Sequence, residues 1–173
     1  MLSRIQRVLK HRWLDASSTR RAIPPDMQQR LQERVAASEQ RHSGEVRIFV
    51  EAALPPGYLW RDAPIQEIIR QRALAVFSQL GVWDTANNNG VLIYLLLAEH
   101  AIEIVADRGL NDVVEPQLWQ DMVSRMRSAF QHGHFEDGLT QALEEVSALL
   151  VQHFPLSAGQ RNPNELPDSP ELA

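Results

Sequence analysis

The sequence predicts an α/β protein: a three-layer α/β/α sandwich in which a small mixed sheet carries helices on both faces. Three observations point there. Residues 91–97, VLIYLLL, are an unbroken apolar run of seven, the length of a strand buried on both faces and too short to cross a bilayer. Ile102, Ile104 and Ala106 then alternate with Glu103 and Val105 after a connection carrying Glu99 and His100, which reads as the antiparallel partner of a hairpin with one wetter face. An earlier strand, residues 46–53, is separated from this hairpin by a helical stretch. A strand–helix–strand crossover makes the two strands parallel and the connection right-handed.

Each element follows from its own pattern. Residues 2–13 read as a short basic amphipathic helix with Leu2, Ile5 and Leu9 on one side and Val8 and Trp13 beside them. Pro24-Pro25 closes that arm and opens a helix at about Asp26, striped by Met27, Leu31 and Val35, with Gly44 as its C-terminal cap. Val46, Ile48 and Val50 alternate with Arg47, Phe49 and Glu51 until Pro55-Pro56-Gly57 stops the strand. Residues 57–63 are expected as a loop whose Tyr58 and Trp60 fold back on the domain. Pro64 opens a helix with Ile65, Ile68, Ile69, Ala73, Val76, Phe77 and Leu80 on its core face, and Gly81 ends it. After the hairpin, Pro116 starts a helix buried along Leu118, Met122, Met126 and Phe130, broken at His132-Gly133-His134. The last helix, residues 135–153, is buried along Leu139, Leu143, Val146 and Leu150. Beyond it the chain turns proline-rich and polar. The organisation is therefore a basic amphipathic arm (1–23), one α/β domain (24–154) and a disordered proline-rich tail (155–173).

Composition narrows the function. The 173 residues are 44% hydrophobic, enough for a sizeable core, and contain no cysteine, which excludes disulfides and thiol chemistry. No apolar run approaches a spanning helix, and basic residues interrupt every apolar stretch of the N-terminus, unlike a secretory signal. The expected location is cytoplasmic, at most peripheral at the inner membrane. Residues 1–21 carry six Lys/Arg against Asp15 alone, a net of +5, while the whole chain is −5, leaving −10 on the remainder. An acidic domain with a basic arm argues against nucleic acid as partner. Residues 2–13 instead suit reversible contact with anionic lipid, or packing on the domain itself.

The parallel crossover and the hairpin bring three segments to one sheet edge: Ser43-Gly44-Glu45, the loop 83–89 and residues 107–112. Glu45, Asp84, Asn88, Asn89, Asp107 and Asp112 are the candidate ligands there, with Asn87 and Glu115 nearby. A hard cation such as Ca2+ or Mg2+ needs several oxygens converging on one point. The same residues also make good turns, since Asn and Asp tolerate left-handed backbone, and Asp107-Arg108 also reads as a surface pair. His132-x-His134 with Glu136 and Asp137 has the residue types for zinc, but no third ligand at a recognisable spacing, and histidines at a helix C-terminus are favoured by its dipole. No Gly-x-Ser-x-Gly elbow, phosphate loop or dinucleotide fingerprint is present, and His42 beside Ser43 is adjacency rather than a triad. No catalytic residue is therefore assigned. A hydrolase on this chain would have to be metal-assisted.

Three separated motifs, Ser43-Gly44-Glu45, then WDTANNNGVLIYLLL with IEIVADRGL, then Phe130…Gly133-x-Phe135-x-x-Gly138-Leu139, resemble the TPM domain family over about residues 26–153. The resemblance implies an α/β sandwich with divalent-cation binding at the loop before the central strand. It further implies a weak acid-phosphatase activity, as attributed to some plant members, or an accessory role on membrane complexes. The family usually carries Asp before the glycine that enters the central strand; this chain has Asn89, one negative charge fewer for a hard cation. Asp107-Arg108-Gly109 stands where a glycine-rich turn is common. The expectation is a non-catalytic binding or accessory module of the TPM type with a protein partner, acting at the cytoplasmic face of a membrane or on a membrane-protein complex. The alternative is a weak divalent-metal-dependent acid phosphatase working at Asp84, Asn89 and Asp107.

Overall fold

The computed structural model describes residues 2–173. Met1 lies outside the described residues, as do the side chains of Leu2, Ser3 and Arg4, so the places of Leu2 and Arg4 on the arm are not assigned. The elements in chain order are α1 (Leu2–His11), α2 (Ala16–Ala22), α3 (Pro25–Glu39), β1 (Val46–Glu51), α4 (Pro56–Leu59), α5 (Ile65–Gln79), β2 (Val91–Leu96), β3 (Ala101–Ala106), α6 (Arg108–Asn111), α7 (Pro116–Gln131), α8 (Phe135–His153) and β4 (Glu171–Leu172). A 3-10 turn, Leu97–Glu99, and a left-handed His100 (φ 48°) close the β2–β3 hairpin.

The sheet order is β3-β2-β1-β4. β1 and β2 run parallel in the register Val46 to Val91, and β2 and β3 antiparallel in the register Val91 to Ala106, as the crossover and hairpin require. Strand alternation sends Val46, Ile48, Val50, Val91, Ile93 and Leu95 into one core with α3, α7 and α8. Phe49, Leu92, Tyr94, Leu96 and Val105 enter a second core with α4 and α5. These are the three layers.

β1 and β2 are buried throughout, so the charged side chains of β1 need partners beneath the helices. Glu51 receives Arg72 through Nε (2.9 Å) and Nη2 (2.6 Å) and the Tyr94 hydroxyl at 2.6 Å. Burial, then the neighbouring Glu51 charge, pushes the Tyr94 phenol far above its usual range, so it stays a donor.

Several expectations are corrected. The arm is two helices rather than one: Asp15 caps α2, accepting from Ser17 and Ser18 N–H. Of the two places expected for α1, it takes the one on the domain, its Val8 against the second core, with Arg7 donating to the carbonyls of Leu59, Arg61 and Ala63 and Lys10 meeting Glu99 at 2.6 Å. Residues 56–59 form a helical turn, and Tyr58 lies under Arg61 while Trp60 stays exposed. Gly44 does not cap α3, which closes at right-handed Gln40. Its requirement is space: an added Cβ would sit 2.4 Å from Leu150 Cδ2 and 3.0 Å from the Asn89 carbonyl.

The largest correction is the tail expected to be disordered. Residues 162–172 run along the outer edge of β1, and β4 pairs parallel with it, Phe49 opposite Glu171 and Val50 opposite Leu172. Arg47, buried in β1, donates to the carbonyls of Pro167 and Ser169 and to the Glu171 carboxylate. A sequence with little apolar mass is held here by backbone and charge, with Leu166 and Leu172 packed against the two cores.

Candidate functional site

The three expected segments do meet at one end of the sheet. The Val91 amide donates to the Glu45 carbonyl at 2.8 Å, the Asp107 amide to Gly90 O at 2.9 Å, and the Gly109 amide to Asn88 O at 2.9 Å. Close packing fixes the approach. A Cβ on Gly90 would lie 2.0 Å from the Val82 carbonyl, and one on Gly109 2.5 Å from that of Asn88, so neither position admits a side chain without moving backbone. Asn88, at φ 50°, turns the loop into β2.

Of the six candidate ligands, three are buried at this end: Glu45, Asn89 and Asp107. Each keeps one oxygen that is buried without a hydrogen-bond partner, namely Glu45 Oε1, Asn89 Oδ1 and Asp107 Oδ2. Their other atoms are engaged. Glu45 Oε2 accepts from Leu166 N–H at 3.1 Å, Asn89 Nδ2 donates to Ser43 Oγ at 3.2 Å, and Asp107 Oδ1 accepts from Arg108 N–H at 2.7 Å. Burial pushes the Glu45 carboxyl above its usual range. The remaining candidates stand apart. Asp84 and Asp112 are exposed, and Asn88 Oδ1 already accepts from Arg108 Nε (3.1 Å) and Nη2 (2.9 Å).

Three orphaned, buried, all-oxygen acceptors suit a hard cation in kind. Two features limit its strength: Asn89 is neutral, and the Arg108 guanidinium already lies on the same loop. Among the described residues no group of three or more His, Asp or Glu is arranged as a metal cage. Glu45, Asn89 and Asp107 are the candidates that bring a buried, unpartnered oxygen to this end.

Among the described residues no nucleophile is paired with an accessible base at this end. His42 is fully buried, donating from Nδ1 to Gly44 O (3.1 Å) while Ser38 Oγ lies 3.4 Å from Nε2. Burial pushes this imidazole down to about 4, so it stays neutral. In the second histidine cluster His132 Nδ1 donates to Ser128 O at 2.8 Å, closing α7.

Sequence reasoning missed Glu39. It is buried at the end of α3, accepts from the Val46 amide at 2.9 Å and faces Glu45 and Asp168. Burial above all pushes its carboxyl up to about 8. Its position after the Leu31 and Val35 stripe is the only local cue. Glu165 of the tail was missed as well; it accepts from the Ala86 amide in the Asn-rich loop at 3.1 Å.

A mixed α/β sheet with helices on both faces and a polar, partly unsatisfied end where β1, β2 and β3 meet defines the class of domain. The TPM domain model matches residues 19–149, and the chain belongs to that family. No curated protein matches it in sequence. The solution structure of the BA42 protein from the psychrophilic bacterium Bizionia argentinensis is similar, with a TM-score of 0.70 at 26% identity, covering 86% of this chain and 94% of that one. The N-terminal domain of a P. gingivalis protein shares the fold, with a TM-score of 0.59 at 22% identity over 82% of this chain and 90% of that one.

Proposed function

We propose that this chain is a non-catalytic accessory module whose sheet end takes a hard divalent cation, Ca2+ or Mg2+, and which works at an anionic membrane surface or on a complex there. The observation that carries the cation is the trio of buried oxygens without partners, Glu45 Oε1, Asn89 Oδ1 and Asp107 Oδ2. An unmade hydrogen bond of this kind costs stability, and an oxygen-seeking ion at this end would relieve those it reaches. The absence, among the described residues, of an accessible nucleophile–base pair beside them favours a structural ion over a reacting one. The surface role is supported by α1. With Val8 and Arg7 turned to the domain, Ile5 and Leu9 are 51% and 52% exposed on α1, and Trp13 is 81% exposed in the turn that follows it. No helix among the described residues is long and apolar enough to cross a membrane.

A second reading, divalent-dependent phosphoester hydrolysis, rests on one observation: Arg108 is exposed beside Asp107, where it could receive a phosphate oxygen. The experiment that separates the two measures metal binding by calorimetry and turnover of p-nitrophenyl phosphate on the same preparation, for the native chain and Asp107→Ala. The accessory reading expects binding that Asp107→Ala weakens, with no turnover. Divalent-dependent turnover abolished by Asp107→Ala would replace it. Flotation with anionic vesicles tests the surface role, which fails if native chain and Trp13→Ala float equally or not at all.

A further inference from the structure

The geometry points to the outer edge of β1 as a docking site for an extended acidic segment of a protein partner, an edge that residues 162–172 of this chain occupy in cis. The inference does not need the cation, although the tail touches the sheet end where the Leu166 amide donates to Glu45 Oε2 at 3.1 Å.

An edge strand exposes unpaired N–H and C=O groups and accepts another strand. Here β1 is edged by chain lying beyond residues 19–149, the extent of the family domain. The contacts describe what the edge recognises. Arg47, only 5% exposed, donates to two backbone carbonyls, Pro167 and Ser169, and to the carboxylate of Glu171 at 3.0 Å. Glu165 takes the Ala86 amide, and Asn162 Nδ2 donates to the carbonyls of His42 and Gly44, both at 3.0 Å. Leu166 packs against the core on one face of the sheet and Leu172 against the core on the other. At the far end, the Ala173 amide donates to Val50 O at 2.9 Å.

The occupant is thus read as two Glu-Leu pairs six residues apart, Glu165-Leu166 and Glu171-Leu172, in extended chain. Arg47 selects an acidic residue at the position of Glu171, while Glu39 and Glu45 face Asp168 at the other end of the segment. The buried Arg47 guanidinium is satisfied only by what lies on this edge, and a carboxylate is its strongest acceptor. The cis segment is suited to leave, because most of it is exposed and its own strand is two residues long. Residues 155–161 tether it, and a tether this short gives an effective concentration in the millimolar range. A partner carrying the two pairs competes with that, and one with further contacts displaces it.

The test uses the full, isotope-labelled chain and an unlabelled peptide of its own residues 161–173, observed by amide-resolved NMR. At peptide concentrations around the millimolar effective concentration of the tether, residues 162–172 are expected to lose their docked shifts and sharpen, while Phe49, Val50, Ala52 and Ala86 keep theirs. A scrambled peptide should do nothing. Arg47→Met should free the tail without peptide and weaken peptide binding about tenfold or more. Should that variant fail to fold, Glu171→Gln provides the same comparison from the tail side. The inference is overturned if the docked shifts survive roughly ten times the effective concentration, or if the scrambled peptide displaces the tail equally well. A dimer that forms with chain concentration and ignores the peptide would assign the edge to a second copy and overturn it too.

Discussion

Asn89→Asp tests how the sheet end is built. The substitution places a carboxylate where a fully buried amide now donates from Nδ2 to Ser43 Oγ at 3.2 Å. Glu45 and Asp107 already supply carboxylates at this end, each with an unpartnered oxygen. Without a cation the new charge has no counterpart, and an uncompensated buried charge costs about 3–5 kcal/mol. For a chain of this size each kcal/mol moves Tm by about 2–4 °C, so the metal-free variant should melt roughly 6–20 °C below the native chain. With a cation the gap narrows without closing, because the variant gains more from the ion than the native chain does. A site with Kd of about 1 mM stabilises by about 1.4 kcal/mol at 10 mM ion, and one ten times tighter by about 2.7 kcal/mol. Two carboxylates and an amide belong at the weak end of that range, three carboxylates nearer the tight end. Thermal unfolding in EDTA and in about 10 mM Ca2+ reads both effects. The reasoning fails if the metal-free variant is as stable as the native chain, or if added Ca2+ raises its Tm no more than it raises the native one.

Other expectations follow from the same structure. Arg72→Met leaves Glu51, with Tyr94, as a buried carboxylate without its cation and should cost about 3–5 kcal/mol in denaturant unfolding. Combining it with Glu51→Leu should recover most of the loss. Gly44→Ala drives a methyl into Leu150 and should cost about 1–3 kcal/mol, reduced when Leu150→Ala makes room. Glu39 has its carboxyl raised by burial from 4.5 to about 8. The folded chain therefore holds a proton that the unfolded chain releases, so stability is full below 4.5 and falls as pH rises towards 8. The slope is at most about 1.4 kcal/mol per pH unit. His42 acts in the opposite sense, lowered from 6.5 to about 4, and destabilises as pH falls through that window. Between pH 6.5 and 8 the Glu39 slope no longer competes with His42, and Glu39→Gln should reduce it in urea titrations, leaving whatever Glu45 and Glu103, raised by burial in the same sense, contribute.

Much of this was legible because it rests on periodicity. The run from Val91, the alternation through Ile102 and Ile104, and the stripe Ile68, Ile69, Ala73 and Val76 fix strands, helices and the parallel crossover. With them comes the meeting of Glu45, Asn89 and Asp107 at one sheet end. Packing of side chains across distance was not legible. That Arg108 lies on Asn88 and Arg72 on Glu51 depends on contacts 20 or more residues apart that no local pattern encodes. The tail was misread for a related reason. Its composition matches a disordered segment, but Arg47 and the open edge of β1 hold it through carbonyls that every sequence possesses. A cue was present in β1 itself, where Arg47 and Glu51 sit in a strand flanked by apolar neighbours and so require partners on a covered face. The docked arm hid behind its own charge: Arg7 and Lys10 read as surface cations, yet both bind the domain.

The decisive measurement is an amide-resolved NMR titration of the native chain with Ca2+, Mg2+ and Mn2+. A cation held by Glu45, Asn89 and Asp107 predicts saturable shifts, or Mn2+ broadening, confined to residues 43–45, 84–90 and 107–112. No change at millimolar metal, or shifts centred on exposed Asp84 and Asp112 and leaving residues 45, 89 and 107 unmoved, would contradict it.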